Sequence, residues 1–251
     1  MLEGLNSAAA GMAAQQQRLD AVANDLANAS TTGYKKVRVG FRDLVYTQTG
    51  RGSAQGPMTG AGSAAVDAGR GFSQGSVQRT DQPLDVAIQG NGFFQVQMPD
   101  GSSAYTRAGT FQVNSQGQLV TASGFPLQPA LTMPANTLSI TISRDGTVSA
   151  QRQGTTGPTQ IGNLQLTGFM NPAGLQSVGE NLYIETAASG TPGANAPGTN
   201  GMGLLSQGYV ETSNVNVVEE LVGMIQTQRA YEINSKAIQA SDQMLQKLAQ
   251  L

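Results

Sequence analysis

The 251-residue sequence predicts an α+β chain: long N- and C-terminal helices form a coiled-coil domain, and the residues between them form a central antiparallel all-β domain. Three observations carry this prediction. Apolar residues recur at heptad spacing near both ends, the middle alternates with period two between turn signals, and two stretches rich in Gly, Ser and Ala interrupt the pattern. The boundaries that follow are an N-terminal coiled-coil helix at 1–33, an extended linker or β segment at 34–80, the β domain at 81–210 and a C-terminal coiled-coil helix at 211–251.

The N-terminal helix rests on Leu5, Met12, Leu19 and Leu26, seven residues apart, with Ala8, Gln15, Val22 and Ala29 as a companion row. The spacing predicts one helix over 3–30, roughly 40 Å long at about 1.5 Å per residue. Its last turns read "ANDLANASTTGYKK" over residues 23–36, unusually small and polar for a buried helix. Gly33 supplies a C-cap signal, and Lys35 and Lys36 fall where they would face the negative end of the helix dipole.

After this helix the period changes. Residues 85–89 ("DVAIQ"), 93–98 ("FFQVQM"), 110–113, 118–121, 138–142, 161–167 and 181–185 alternate or cluster as strands. Pro99-Asp100-Gly101, Asn114-Ser115-Gln116-Gly117 and Arg144-Asp145-Gly146 mark turns between them. Residues 47–80 and 187–201 have few hydrophobic side chains and read as linkers or long loops.

The C-terminal helix runs from Val217 to Leu251, with an apolar row of Val217, Leu221, Met224, Tyr231, Ile238, Leu245 and Leu248 and no proline. Asn216 with Glu219 resembles a capping pair, and Glu232 with Lys236 is a favourably oriented i, i+4 ion pair. Each terminal helix carries a thin apolar stripe, so burial shared with the other helix and with further copies of the chain is expected. A monomeric helical hairpin stays open as the alternative.

Composition excludes several functions. A net charge of −2 offers no general attraction for nucleic acid or anionic lipid. The absence of Cys and His removes disulfides, thiolates, the usual zinc ligands and the usual general base. No run approaches the roughly 20 apolar residues of a membrane span, so no direct membrane insertion is expected. The start Met1-Leu2-Glu3 lacks the basic region of a cleavable signal peptide.

Candidate chemistry is sparse. Gly90-Asn91-Gly92 follows a strand but leads into another strand, so it reads as a turn and not a phosphate loop. Asp81, Asp85, Asp100, Asp145, Glu180 and Glu185 sit near turns or strand ends and read as turn carboxylates. Asn28-Ala29-Ser30 matches a glycosylation pattern at a helix end and reads as incidental, while Met12, Met224 and Met244 read as packing residues. No enzyme, cofactor or metal site is predicted.

These residues resemble a known family. "ANDLANASTTGYKK" is similar to the N-terminal signature of the bacterial flagellar rod, hook and hook-associated axial proteins, and "SNVNVVEELVGMIQTQRAYEINSKAIQASDQMLQKLAQL" to their C-terminal signature. The middle, with "DVAIQGNGFFQV" and "SVGENLYIET", most resembles the distal-rod branch of the basal-body rod family. A proximal rod paralogue is the alternative within that family. A glycan- or surface-binding β domain on a coiled-coil stalk is the alternative outside it. Between Tyr46 and Gly75 the chain is shorter and richer in Gly, Ala and Ser than the linker typical of that branch.

The resemblance implies a helical homopolymer that forms the drive shaft of the basal body, crosses the cell envelope and passes torque to the hook. It implies proximal rod and hook proteins as neighbours, bushing-ring proteins as a further contact, and passage through the flagellar type III export apparatus without a cleaved signal. Carried over by position, Asn24, Leu26, Asn28, Thr32, Gly33 and Tyr34 would be junction and packing residues, as would Asn214, Asn216, Arg229, Tyr231 and Asn234. With the heptad positions Leu5, Met12, Leu19, Val22, Leu221, Met224, Ile238 and Leu245 they form the expected subunit-packing set.

Overall fold

Helix α1 spans Leu2–Ala27 and helix α2 spans Val217–Ala249, with short strands between them. The computed structural model describes residues 2–44, 46–48, 58–154 and 157–249, and these divide into two compact units.

The first unit comprises the helices and residues Val37–Gly69. Strand Val37–Asp43 pairs with Ser63–Arg70, and Tyr46–Gln48 pairs antiparallel with Met58–Gly60. Part of the stretch expected to be a linker is therefore a β ribbon; its residues 49–57 lie outside the described residues. α2 opens as its sequence indicates: Asn216 Oδ1 accepts the Val218 amide at 3.1 Å, an N-cap bond.

The expected coiled-coil domain is not what the chain forms. The described residues hold two helices, one near either end, which make no long coiled-coil pair and share their unit with four strands. The physical reason lies in the faces they use. At one point where α1 and α2 touch, a Cβ on Gly11 would meet Asn234 Nδ2 at 3.2 Å, and the buried positions of α2 include the polar Glu220 and Thr227. The large side chains that would make interlocking knobs, Val217, Val218, Leu221, Val222 and Ile225, stay exposed.

The central antiparallel β domain is present as the second unit, Asn28–Lys36 with Arg70–Val215. Its largest sheet has five strands, in the order Leu127–Gln128, Phe94–Gln97, Ser103–Thr106, Leu182–Ile184 and Gln176–Gly179. Beside it lie a three-stranded sheet, Thr137–Ile142, Thr147–Arg152 and Thr159–Asn163, and several two-stranded pairs. Successive side chains of "FFQV" point to opposite faces and so feed two clusters. Phe94 and Val96 join the main core with Val86, Ile88, Leu119 and Leu166, while Phe93 joins Tyr105, Leu175 and Tyr183. Edge-to-face contacts tie the second cluster to Phe72 and Phe169, for example Phe72 to Tyr183 with centroids 5.1 Å apart.

The turn residues act as their sequence indicated. Asn114 Oδ1 accepts the amides of Gln116 and Gln118 at 3.0 and 2.8 Å, and Gly117 takes φ 79°. Asp100 and Asp145 accept the amides two residues on, from Ser102 and Thr147, at 2.9 and 3.1 Å. These bonds hold both carboxyls below the usual aspartate range, the Ser102 hydroxyl contributing most at Asp100 and the Thr147 amide at Asp145.

Candidate assembly site

Two places gather the residues that the sequence singled out, one in each unit. In the β unit the chain segments entering and leaving it meet at a buried ion trio. Lys35 and Glu211 have fully buried side chains, with Nζ 2.6 Å from Oε1. Arg107 approaches the other oxygen, Nε at 2.9 Å and Nη2 at 2.8 Å. Further donors are used as well: Lys35 Nζ donates to the Ser73 carbonyl at 2.7 Å, Arg107 Nη1 to the carbonyls of Gly90 and Gly92, and the Gly75 amide to Glu211 Oε1 at 2.8 Å. Gly90-Asn91-Gly92 is thus a turn whose carbonyls hold an arginine.

One carboxylate between two cations leaves a surplus positive charge in a buried place. Burial is the main reason that Lys35 is pushed below the usual lysine range; Glu211 opposes the shift and Arg107 adds to it. Burial likewise lowers Arg107, again against Glu211. An isolated charge here would be costly, and the shared carboxylate with its ring of hydrogen bonds offsets that cost.

Around the trio, Asn214 closes the junction. Its Oδ1 accepts the Lys36 amide at 2.8 Å and its Nδ2 donates to the Gly71 carbonyl at 2.7 Å, so one side chain ties the segments 33–36, 71–73 and 211–214. Gly33 donates its amide to the Glu211 carbonyl at 2.8 Å. It does not end α1, which stops six residues earlier at Ala27. Gly33 has φ 71°, and a Cβ there would lie 2.6 Å from the Ala108 amide nitrogen, so only glycine fits. Lys35, expected to face a helix end, is instead buried. Tyr34 is buried under Arg70, whose Cζ lies 5.4 Å from the ring centroid. Asn28 accepts the Thr31 hydroxyl at 3.1 Å, and the Thr32 carbonyl accepts from Asn181 at 3.0 Å.

The second place is the outer surface of α2. At about 100° per residue, Glu220, Thr227, Asn234 and Ile238 fall on one face, which is buried or half-buried. Val218, Leu221, Val222 and Ile225 fall on the opposite side, with the exposed Val217 towards its edge, and Val218 is 69% exposed. Met224 is half-buried, Arg229 and Tyr231 are exposed, and Leu245 lies within α2. On α1, Val22 is buried, Leu5, Met12, Leu19 and Leu26 are half-buried, and Asn24 is exposed. Contiguous exposed apolar surface of this kind marks an interaction site.

Family models match three stretches: a model of flagella basal body rod proteins covers residues 5–35, one of the flagellar hook protein FlgE/F/G D1 domain covers 87–150, and one of the flagellar basal body rod FlgEFG protein C-terminal covers 206–251. Curated relatives match end to end. Flagellar basal-body rod protein FlgG of Buchnera aphidicola subsp. Schizaphis graminum is 54% identical over all of both chains. The protein of that name from Caulobacter vibrioides is 45% identical over 100% of this chain and 99% of its own. The chain belongs to the FlgG family of flagellar basal-body rod proteins.

A more distant member, flagellar basal-body rod protein FlgG of Bacillus subtilis, is 39% identical over 100% of this chain and 99% of its own. Membership makes the chain a structural component of the rod of the flagellar basal body. Each matched stretch contributes one member of the ion trio: Lys35 the first, Arg107 the second and Glu211 the third. Sequence reasoning missed this trio. Lys35 is adjacent to a turn and Glu211 close to a helix start, both ordinary places for solvated charges. The available signal was the scarcity of charge, since residues 108–143 hold no Asp, Glu, Lys or Arg, which makes an arginine at 107 conspicuous.

Proposed function

We propose that this FlgG-family chain assembles helically with its own copies into the distal part of the rod, the drive shaft that passes torque to the hook. The outward-turned apolar face of α2 carries this reading. Val217, Val218, Leu221, Val222 and Ile225 remain 42–69% exposed within the described chain, and burying them against another copy would remove further apolar area from water. The partner is a second copy: a rod repeats one subunit, and each copy brings the same unburied face. The exposed and half-buried helix residues of the subunit-packing set are those a neighbouring copy would meet, whereas Gly33 and Tyr34 are buried in the chain's own β unit.

In this reading the chain also touches proximal rod and hook proteins at the rod ends, meets bushing-ring proteins along its length, and reaches its place through the flagellar type III export apparatus. Electron microscopy of the purified chain under polymerising conditions tests the central claim. Straight tubes are expected. Curved tubes would indicate a hook-like polymer, and a chain that stays monomeric at all concentrations refutes the reading.

A further inference from the structure

An open helical polymer needs a heterologous contact, in which one patch of a subunit meets a different patch of the next. The β unit carries two surfaces of that kind, each presenting a large apolar side chain to solvent. The first is a groove of about 690 Å³ whose walls include Val113, Met133, Pro134 and Leu138. Leu138 is placed there by a β-bulge. Thr137 pairs with Arg152 and Ser139 with Gln151, so Leu138 is the extra residue, and it is 66% exposed. A bulge re-aims a side chain at the expense of ladder pairing, and here it turns a leucine outward into the groove. Further along the same edge strand no such surface is left open: the Gln207 side chain occupies it, accepting the Ile142 amide at 3.0 Å and donating to the Ile140 carbonyl at 2.8 Å.

The second surface is a projection. Met170 is 95% exposed, the most exposed large hydrophobic side chain of the described residues. Its neighbours hold it out rigidly. Phe169 is anchored inward with its ring centroid 4.8 Å from that of Tyr105, Asn171 donates its amide to Ser189 and its side chain to Ala188, and Pro172 opens a 3-10 turn. A methionine presented this way loses little backbone freedom on binding and adapts to an irregular cleft.

The geometry points to the Met170 projection of one copy seating in the Leu138 groove of the next. This rests on the homopolymer reading above and adds the contact that joins the β units. Charge selects this occupant. The residues lining the groove carry no charged side chain, and the sequence on either side of the projection, residues 153–179, contains none. An ionic partner finds no counter-charge in the groove, whereas an uncharged apolar tip from the same chain meets a matching wall. A complementary pair of unlike patches propagates as an open helix where the rotation between copies does not close a ring.

The absence of native cysteine makes the test direct. Variants L138C and M170C are prepared separately, assembled alone and as an equimolar mixture, and oxidised. Disulfide-linked dimers are expected from the mixture at well above the level of either variant alone. In parallel, M170D is expected to raise the critical concentration for assembly by roughly tenfold, with the circular dichroism of the monomer unchanged because the side chain is solvent-facing. Normal rods with no cross-link in the mixture overturn the contact and leave the homopolymer standing. A wild-type chain that forms no rods under any condition removes the homopolymer and the contact with it.

Discussion

Glu211→Gln isolates the chemistry of the buried trio with almost no change in shape. The carboxylate receives four donors: Lys35 Nζ and the Gly75 amide on Oε1, and Arg107 Nε and Nη2 on Oε2. Glutamine keeps one acceptor oxygen and places an NH₂ where the other stood. Whichever way the amide turns, two donors lose their acceptor, and two cations remain buried with no counter-charge. Breaking a buried ion pair by removing one partner costs about 3–5 kcal/mol, a large share of a typical domain stability of about 5–15 kcal/mol. For a chain of this size that lowers the melting temperature by roughly 6–20 °C. Differential scanning calorimetry of the wild type and the variant at pH 7 reads it. A further signature separates charge from packing. With Glu211 gone, Lys35 loses the group that holds its proton, so the deficit shrinks as pH is raised and the amine becomes neutral. A loss below about 1 kcal/mol, the range of exposed pairs, or a deficit that does not change with pH, would falsify the trio as the element that secures the junction.

In the wild type the sign of the same linkage gives a second test. Burial lowers Lys35 in the folded chain, so between that lowered value and the ordinary lysine pKa of about 10.4 the unfolded chain binds more protons, and stability rises with pH through that window. Urea midpoints that fall from neutral pH towards pH 9 would contradict it. Gly33→Ala places a Cβ 2.6 Å from the Ala108 amide nitrogen at φ 71°, and is expected to destabilise the β unit by more than about 1 kcal/mol in urea titration. Ile225→Asp puts a charge on the exposed α2 face, so filaments should be absent by electron microscopy while the near-ultraviolet spectrum of the β unit is retained; filaments of normal yield would count against the face. Helical circular dichroism should rise with protein concentration as the unburied apolar face of α2 finds partners, and a signal independent of concentration would argue for a self-sufficient helix pair.

Elements whose cause is local could be read directly. Period two located the strands around Val86–Gln89, Phe94–Gln97 and Phe111–Val113 to within about one residue, and Asn114, Asp100 and Asp145 bonded their own turns as their positions implied. Strands with weak alternation, such as Gln176–Gly179 and Gly193–Asn195, were missed because partner strands and not side-chain burial fix them. The Ser63–Arg70 strand was read as linker for the same reason: its small residues pair across a ribbon without forming a core.

By itself the sequence determined the two helices, the β character of the middle, the exclusion of thiol and imidazole chemistry, and the resemblance to the flagellar rod family. Each is a property of spacing or composition within a short window. Tertiary structure alone decided which face of α2 turns inward, since an apolar row gives the direction of a stripe but not what covers it: Leu221 and Tyr231 belong to that row and are exposed, while Thr227 is buried. It alone decided that Lys35 pairs with a glutamate 176 residues away and that Arg107 reaches the same carboxylate across 104. Charge pairing over such separations leaves no periodic trace, because any lysine beside a turn looks solvated until the fold removes the water around it.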